Sequence, residues 1–270
     1  MLKNLSPSWT QVYYNAIEGY FWSPELIGRG PAGKGKPWHE WHEGLLKKEL
    51  PLNHILNLFF TLTQQGVRDR CVSHLTGIPL TDMQFVPSVA VIQTVSSALT
   101  QPDLVFASGS RLAFVELKVG SASNLDQFAK YVLAGALLRE RYPEIEQVHL
   151  SVVTRPGKEA TVWGSRQFAD IAALKAQVQS MLLAESAEWQ SAAMKRFTRD
   201  ASPEKKRAMA EAVEAISVRV VSYNELDQAL AGEQSRSGEE DPLVSGLRSE
   251  LAARKRISSA TGSKPSGPLA

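Results

Sequence analysis

Cysteine is nearly absent: the 270-residue chain has only Cys71. A single thiol excludes an intramolecular disulfide and any cysteine-rich zinc site, and the expectation for Cys71 is a small buried apolar residue. An excess of charge of either sign is also lacking. Lys+Arg 30 stand against Asp+Glu 28, a formal net charge of +2. That balance excludes a generally basic nucleic-acid coat, so contact with a polyanion has to use a local patch. No apolar run is long enough for a spanning helix, and the opening stretch MLKNLSPSWTQVYY has no apolar leader core. The expectation is a cytoplasmic protein without membrane contact. There is no internal repeat. What is present is a hydrophobic content of 43%, enough for one sizeable α/β domain or for one with a helical addition.

Charge is scarce inside the strongest strand pattern too, which makes the exceptions informative. Gln101–Ala107 is apolar apart from Asp103 near its start. Ser108-Gly109-Ser110-Arg111 is a polar turn, and Leu112–Val119 is apolar apart from Glu116 and Lys118. Two such runs around a short Gly-containing loop predict a β-hairpin. A turn symmetric about Gly109-Ser110 places Asp103 opposite Glu116, and the period of two puts Lys118 on the same face as Glu116. Three charged groups then converge at one end of a buried hairpin. Neighbouring carboxylates repel unless a cation lies between them. Paired carboxylates are hard oxygen ligands suited to Mg2+ or Mn2+.

Pro102-Asp103, followed on the next strand by Glu116-Leu117-Lys118, resembles the PD-(D/E)XK nuclease superfamily. Gln127 and Tyr131, on one face of the helix that follows, resemble the Q-x-x-x-Y pair of RecB-type nucleases. The resemblance spans roughly Met83 to Thr154. It implies a restriction-endonuclease-like α/β core in the order α-β-β-β-α-β, a mixed sheet flanked by helices, with additional helices around it. It also implies a Mg2+- or Mn2+-dependent phosphodiester hydrolase with Asp103, Glu116 and Lys118 as catalytic residues. Asp103, Glu116 and the main-chain carbonyl of Leu117 are the implied metal ligands. Gln127 and Tyr131 would hold the substrate strand or brace the Lys118 end of the site, and Lys130 is close enough in sequence to reach a phosphate. The implied partner is DNA, with RNA left open, as are a protein partner, a homodimer and the choice of endo or exo action. The competing classes are a catalytically inactive nucleic-acid-binding module and a structural subunit of a nucleoprotein complex. On this reading, removing one of two repelling carboxylates should leave the fold intact and even stabilise the metal-free protein.

The remaining segments are read in relation to that core. Trp9, Val12, Tyr13, Ala16, Ile17 and Tyr20 recur at helical spacing. Gly28-x-x-x-x-Gly33-Lys34 begins like a phosphate-binding loop, but Gly35 stands where such a loop needs Ser or Thr. A basic loop with Arg29, Lys34 and Lys36 is the plainer expectation. The next segment, Pro37–Leu50, predicts a helix, with His39 and Glu43 four residues apart on one face. One of them is a candidate further metal contributor, and the choice between them is open. Residues 1–82 are expected to be a helical part packed on a nuclease core at 83–164, with Val89–Val95 as the strand before the hairpin and Ala160–Trp163 as a further short strand. Either Ser123 or Asn124 is expected to cap the helix after the hairpin. Residues 165–231 are expected to add helices, joined by a basic linker at Lys195, Arg196 and Arg199, and a closing strand and helix. From Gly232 the composition turns to Ser, Gly, Glu and Pro, which predicts a mostly disordered tail to 270. Within it, Leu243–Ile257 is a candidate transient helix ending in Arg254-Lys255-Arg256, a candidate contact for DNA phosphates or a partner.

Overall fold

A computed structural model describes residues 9–10, 13–14, 38–86, 100–119, 123–163, 170–184, 188–237 and 241–260. The chain divides into two compact units. One is the continuous segment Gln64–Ser222, and the other joins Met1–Thr63 to Tyr223–Ala270.

The continuous unit is α/β. It contains helix α3 (Gln65–Thr76), strands β1 (Gln84–Val86), β2 (Leu104–Ser108) and β3 (Arg111–Lys118), then helix α4 (Leu125–Arg141) and strand β4 (Gln147–Thr154). Helices α5 (Ile171–Leu183), α6 (Ala192–Asp200) and α7 (Pro203–Ala215) follow, and β5 (Ser217–Ser222) closes the unit. The strands form one five-stranded sheet in the order β1-β2-β3-β4-β5. β1, β2 and β3 are antiparallel neighbours, whereas β3, β4 and β5 run parallel. The hairpin turns at Gly109-Ser110, with Ser108 paired to Arg111 and Leu104 to Val115, which is the symmetric register expected from the sequence. Gly109 has φ 43°, a left-handed conformation that costs glycine little. Nearly every residue of β3 and β4 is buried, as expected for strands covered on both faces.

On one face Val105, Phe114, Leu150 and Val152 pack against Phe128 and Val132 of α4, and α5 and α7 complete the same core. Gly135 lets α4 approach closely, because a Cβ there would lie 3.0 Å from Val148 Cγ1. The other face carries α3, where Ser151 Oγ donates to the Leu75 carbonyl at 2.8 Å. Asn124 starts α4 by accepting from the Gln127 amide at 2.8 Å.

Several expectations give way here. The strand paired with the hairpin is β1, while Val89–Val95 lies outside the described residues, as do 23–36 with Arg29, Lys34 and Lys36. Glu159–Thr161 is a 3-10 turn rather than a strand, and the neighbouring Val162 and Trp163 face the core. The basic linker is the helix α6, capped by Ser191 and anchored by buried Met194 and Thr198.

The second unit holds helices α1 (Trp38–Leu46), α2 (Glu49–Leu62), α8 (Tyr223–Ser237) and α9 (Pro242–Ala260), together with residues 9–10 and 13–14. The expected disorder after Gly232 is corrected by α9. Its Val244, Leu247 and Leu251 are buried at helical spacing. Arg254 is also corrected as a phosphate contact, because it is 1% exposed and bonded inside the unit. Its Nε donates to Glu250 Oε1 at 2.7 Å, its Nη1 to the carbonyls of Leu46 and Lys48 at 2.8 and 2.9 Å, and its Nη2 to Tyr14 Oη at 3.1 Å. Lys255 and Arg248 both bind Asp227 of α8, each at 2.9 Å. Among the described residues no helix is long and apolar enough to cross a membrane.

Two glycines of this unit make opposite predictions. A Cβ on Gly246 would collide with Trp9 Nε1, whose N–H donates to the Leu243 carbonyl at 3.0 Å. Gly246→Ala should therefore overpack the contact and cost about 1–3 kcal/mol. A Cβ on Gly232, inside α8, meets nothing within 4 Å. Gly232→Ala should stabilise by roughly 0.5–1 kcal/mol through helix propensity. Urea unfolding of both variants checks the pair, and equal effects would contradict it.

Candidate active site

Strand alternation puts Glu116 and Lys118 on the face of the sheet that carries α4. Asp103 stands one residue before β2, and its charge acts on Tyr131 beside Glu116. Glu116 and Lys118 are therefore brought together at the carboxyl end of β3. Asp103 also bonds to the backbone of β3, where its Oδ2 accepts from the Leu117 amide at 2.7 Å. The carboxylate thus extends the β2–β3 ladder by one bond and fixes its own position against β3.

Glu116 is 4% exposed and would be costly without partners. Three donors answer it among the described residues. Gln127 Nε2 donates to Oε1, the Tyr131 hydroxyl donates to Oε2, and Lys118 Nζ lies 2.5 Å from Oε1. A carboxylate offers about four acceptor positions, so the protein itself fills most of them. The i, i+4 spacing of Gln127 and Tyr131 on α4 is what lets one helix face clasp both oxygens. Tyr131 is 1% exposed, so it braces Glu116 and does not present its hydroxyl to a substrate strand. Its hydroxyl is held well above the usual phenol range, first by burial and then by the negative charge of Glu116, with Asp103 adding to the effect.

Of the two candidate caps for α4, Asn124 does the capping. Ser123 instead donates from Oγ to Gln127 Oε1 at 3.2 Å. This bond assigns the amide orientation of Gln127 and aims its NH2 at Glu116. At the far side of Lys118, Thr154 Oγ1 donates to the Lys118 carbonyl at 3.2 Å. Lys130 lines a polar pocket with Asn124, Asp126, Gln127 and Ser191.

Asp126 is a site residue that the sequence does not reveal. It is buried, and its Oδ2 accepts from the amides of Gln190 and Ser191 at 2.7 and 2.9 Å. The only sequence signal for it is an acid in the first turn of α4, which ordinarily reads as a dipole-favoured surface residue.

No third metal contributor joins the two carboxylates among the described residues, where no group of three or more His, Cys, Asp or Glu side chains is placed to hold a metal ion. Glu43 is an exposed residue of the helical unit, and the His39 side chain lies outside the described residues. The chemistry available is that of two hard carboxylates, one buried ammonium and the Leu117 backbone. No family model matches the chain, and neither the curated proteins nor the solved structures give a significant match.

The ion pair reverses the expectation that losing a carboxylate stabilises the protein. Glu116→Ala would bury Lys118 without this counter-charge, at a cost of about 3–5 kcal/mol. Glu116→Gln, with Lys118→Met beside it, should cost far less than Glu116→Ala alone, which denaturant unfolding measures. Tyr131 adds an alkaline prediction. Its folded pKa is raised above the unfolded value of about 10, so its contribution is complete below pH ~10 and is lost as pH rises through the folded value. Tyr131→Phe should remove that part of the alkaline loss of stability. An unchanged alkaline profile would contradict the assignment.

Proposed function

We propose that this protein is a divalent-metal-dependent nuclease acting on phosphodiester bonds, with DNA the leading substrate, and that its core is restriction-endonuclease-like. The observation that carries the reading is the buried Glu116–Lys118 pair at the carboxyl end of β3, with Asp103 bonded to the Leu117 amide between them and Gln127 and Tyr131 clasping Glu116. The order α3-β1-β2-β3-α4-β4 and the parallel β3–β4 pairing support the fold assignment. The resemblance implies both.

The donor set fits Mg2+ or Mn2+. Asp103 and Glu116 would hold the ion, with the Leu117 carbonyl as a further ligand. When bound, the ion supplies charge neutralisation at the phosphate and a water of lowered pKa. The chain's own residues do the rest. Lys118 occupies one Glu116 oxygen in the metal-free protein and so offsets carboxylate charge that would otherwise be buried alone. With a phosphate present, its ammonium stabilises the negative charge that develops on the phosphoryl oxygens. Gln127 and Tyr131 keep the Glu116 carboxylate in one orientation, and Asp103 is held by the Leu117 amide. Preorganisation of this kind avoids reorganising the site during reaction.

A second reading has its own observation. Glu116 is already satisfied by three donors of the chain, and no third acid or imidazole joins it among the described residues. A self-contained polar network of this type suits a non-catalytic nucleic-acid-binding module or a structural subunit.

The experiment that separates the readings pairs cleavage with melting. The nuclease should cut single-stranded or duplex DNA with Mg2+ or Mn2+ and stop in EDTA. Glu116→Gln and Lys118→Ala should each lose roughly 10²–10³ in rate or more. The divalent ion should raise the melting temperature of the unmodified chain and not that of Glu116→Gln. A melt indifferent to divalent ions, with no cleavage of DNA or RNA, would establish the second reading instead.

A further inference from the structure

A polar pocket of about 330 Å3 lies beside the carboxylate site, lined by Thr100, Asp126, Gln127, Lys130, Gln190 and Ser191 among others. It is continuous with the site through Gln127, whose side chain binds Glu116. Two helices begin at its wall: α4, capped by Asn124, and α6, capped by Ser191. Helix N-termini favour negative charge, and Lys130 adds a full positive one. Within this pole sits Asp126, 6% exposed, in the first turn of α4 and bonded to the start of α6. Its Oδ2 is used by the Gln190 and Ser191 amides, but its Oδ1 is buried with no hydrogen-bond partner among the described residues. A buried acceptor of this kind calls for a donor.

One pocket therefore offers a cation in Lys130 and, once the Asp126 carboxylate turns toward it, an acceptor in need of an N–H. A nucleotide has both complements: phosphate oxygens, and an N–H donor on the pairing edge of every base. In a duplex that edge is already taken by the opposite strand, and only an unpaired or extruded base can present it. We propose that this pocket is a subsite for one unpaired nucleotide of the strand that passes the carboxylate site, with Lys130 on a flanking phosphate and Asp126 on the base edge. The inference rests on the nuclease reading and adds to it a preference for single-stranded over intact duplex substrate. Because each base can supply the donor, the preference carries little sequence specificity.

The test uses the full chain in EDTA, so that binding is read without cleavage. Fluorescence anisotropy compares a labelled single-stranded oligonucleotide with a blunt duplex of the same sequence. The single strand should bind more tightly. Lys130→Ala should weaken it about three- to tenfold and lower the salt slope by about 0.7. Arg141→Ala, at the other end of α4, should match the unmodified protein. Asp126→Asn keeps an acceptor for the α6 amides and should narrow the gap between single strand and duplex, with a melting curve to confirm that it folds. Equal binding of the two substrates, or Lys130→Ala binding like the unmodified chain, overturns the subsite. Cleavage with Mg2+ or Mn2+, measured on the same preparations, separates the two claims. Cleavage without strand preference removes the subsite and leaves the nuclease. Strand preference that depends on Lys130 and Asp126, without cleavage, keeps the nucleotide pocket and removes the nuclease.

Discussion

The α/β unit is arranged around one buried carboxylate. Glu116 sits in an otherwise apolar strand, and burial demands that its charge be answered locally. Answering it fixes much else. Gln127 and Tyr131 must share a helix face, which sets the rotation of α4 over the sheet. Lys118 must stay beside Glu116, which keeps an ammonium at the end of β3. Ser123 must give up helix capping to Asn124 so that the Gln127 amide points the right way. Asp103 then closes the arrangement by binding the Leu117 amide from the neighbouring strand. A set of side chains that looks like a list of catalytic parts is, physically, one compensated charge.

The helical unit solves a similar problem to a different end. Arg254 and Glu250 form a buried ion pair on α9, and the other guanidinium bonds go to two carbonyls and to Tyr14. The Arg254 cluster is built from elements of that unit alone, and its donors are spent on the unit's own carbonyls and side chains. The Glu116 cluster differs in having a polar pocket at its side, where Lys130 and Asp126 present unlike chemistry. Buried charge alone does not mark a functional site, and the neighbouring space is what distinguishes the two clusters.

The hairpin was legible because strand alternation and a Gly turn are local signals. The same holds for the start of α4, which the Ser123-Asn124 pair marks. The coarse α/β class followed from those elements. The paired Lys118–Glu116 charge was less legible, since the sequence shows that two charges share a face but not that they touch. Helix α6 was missed because only Met194 and Thr198 among its residues are buried, and its basic residues read as linker. Helix α9 was legible only as a transient helix over Leu243–Ile257, for a compositional reason. The Ser, Gly and Glu around it resemble a solvated tail, and the three leucine and valine anchors are diluted over many residues. Asp126 depends on the amides of Gln190 and Ser191, 64 and 65 positions away, which no local pattern encodes.

The helical unit is assembled from both flanks of the chain. Tyr14 meets Glu250 across 236 positions, and Trp9 meets Leu243 across 234. A chain emerging from the ribosome therefore presents residues 9–63 long before their packing partners exist. The continuous segment Gln64–Ser222 has no such wait and can fold as soon as it is out. The faces of α1 and α2 that pack on α9 wait until α9 has been synthesised, so these helices reach their native packing after the α/β unit that follows them. During that interval those apolar faces are the surface most open to aggregation.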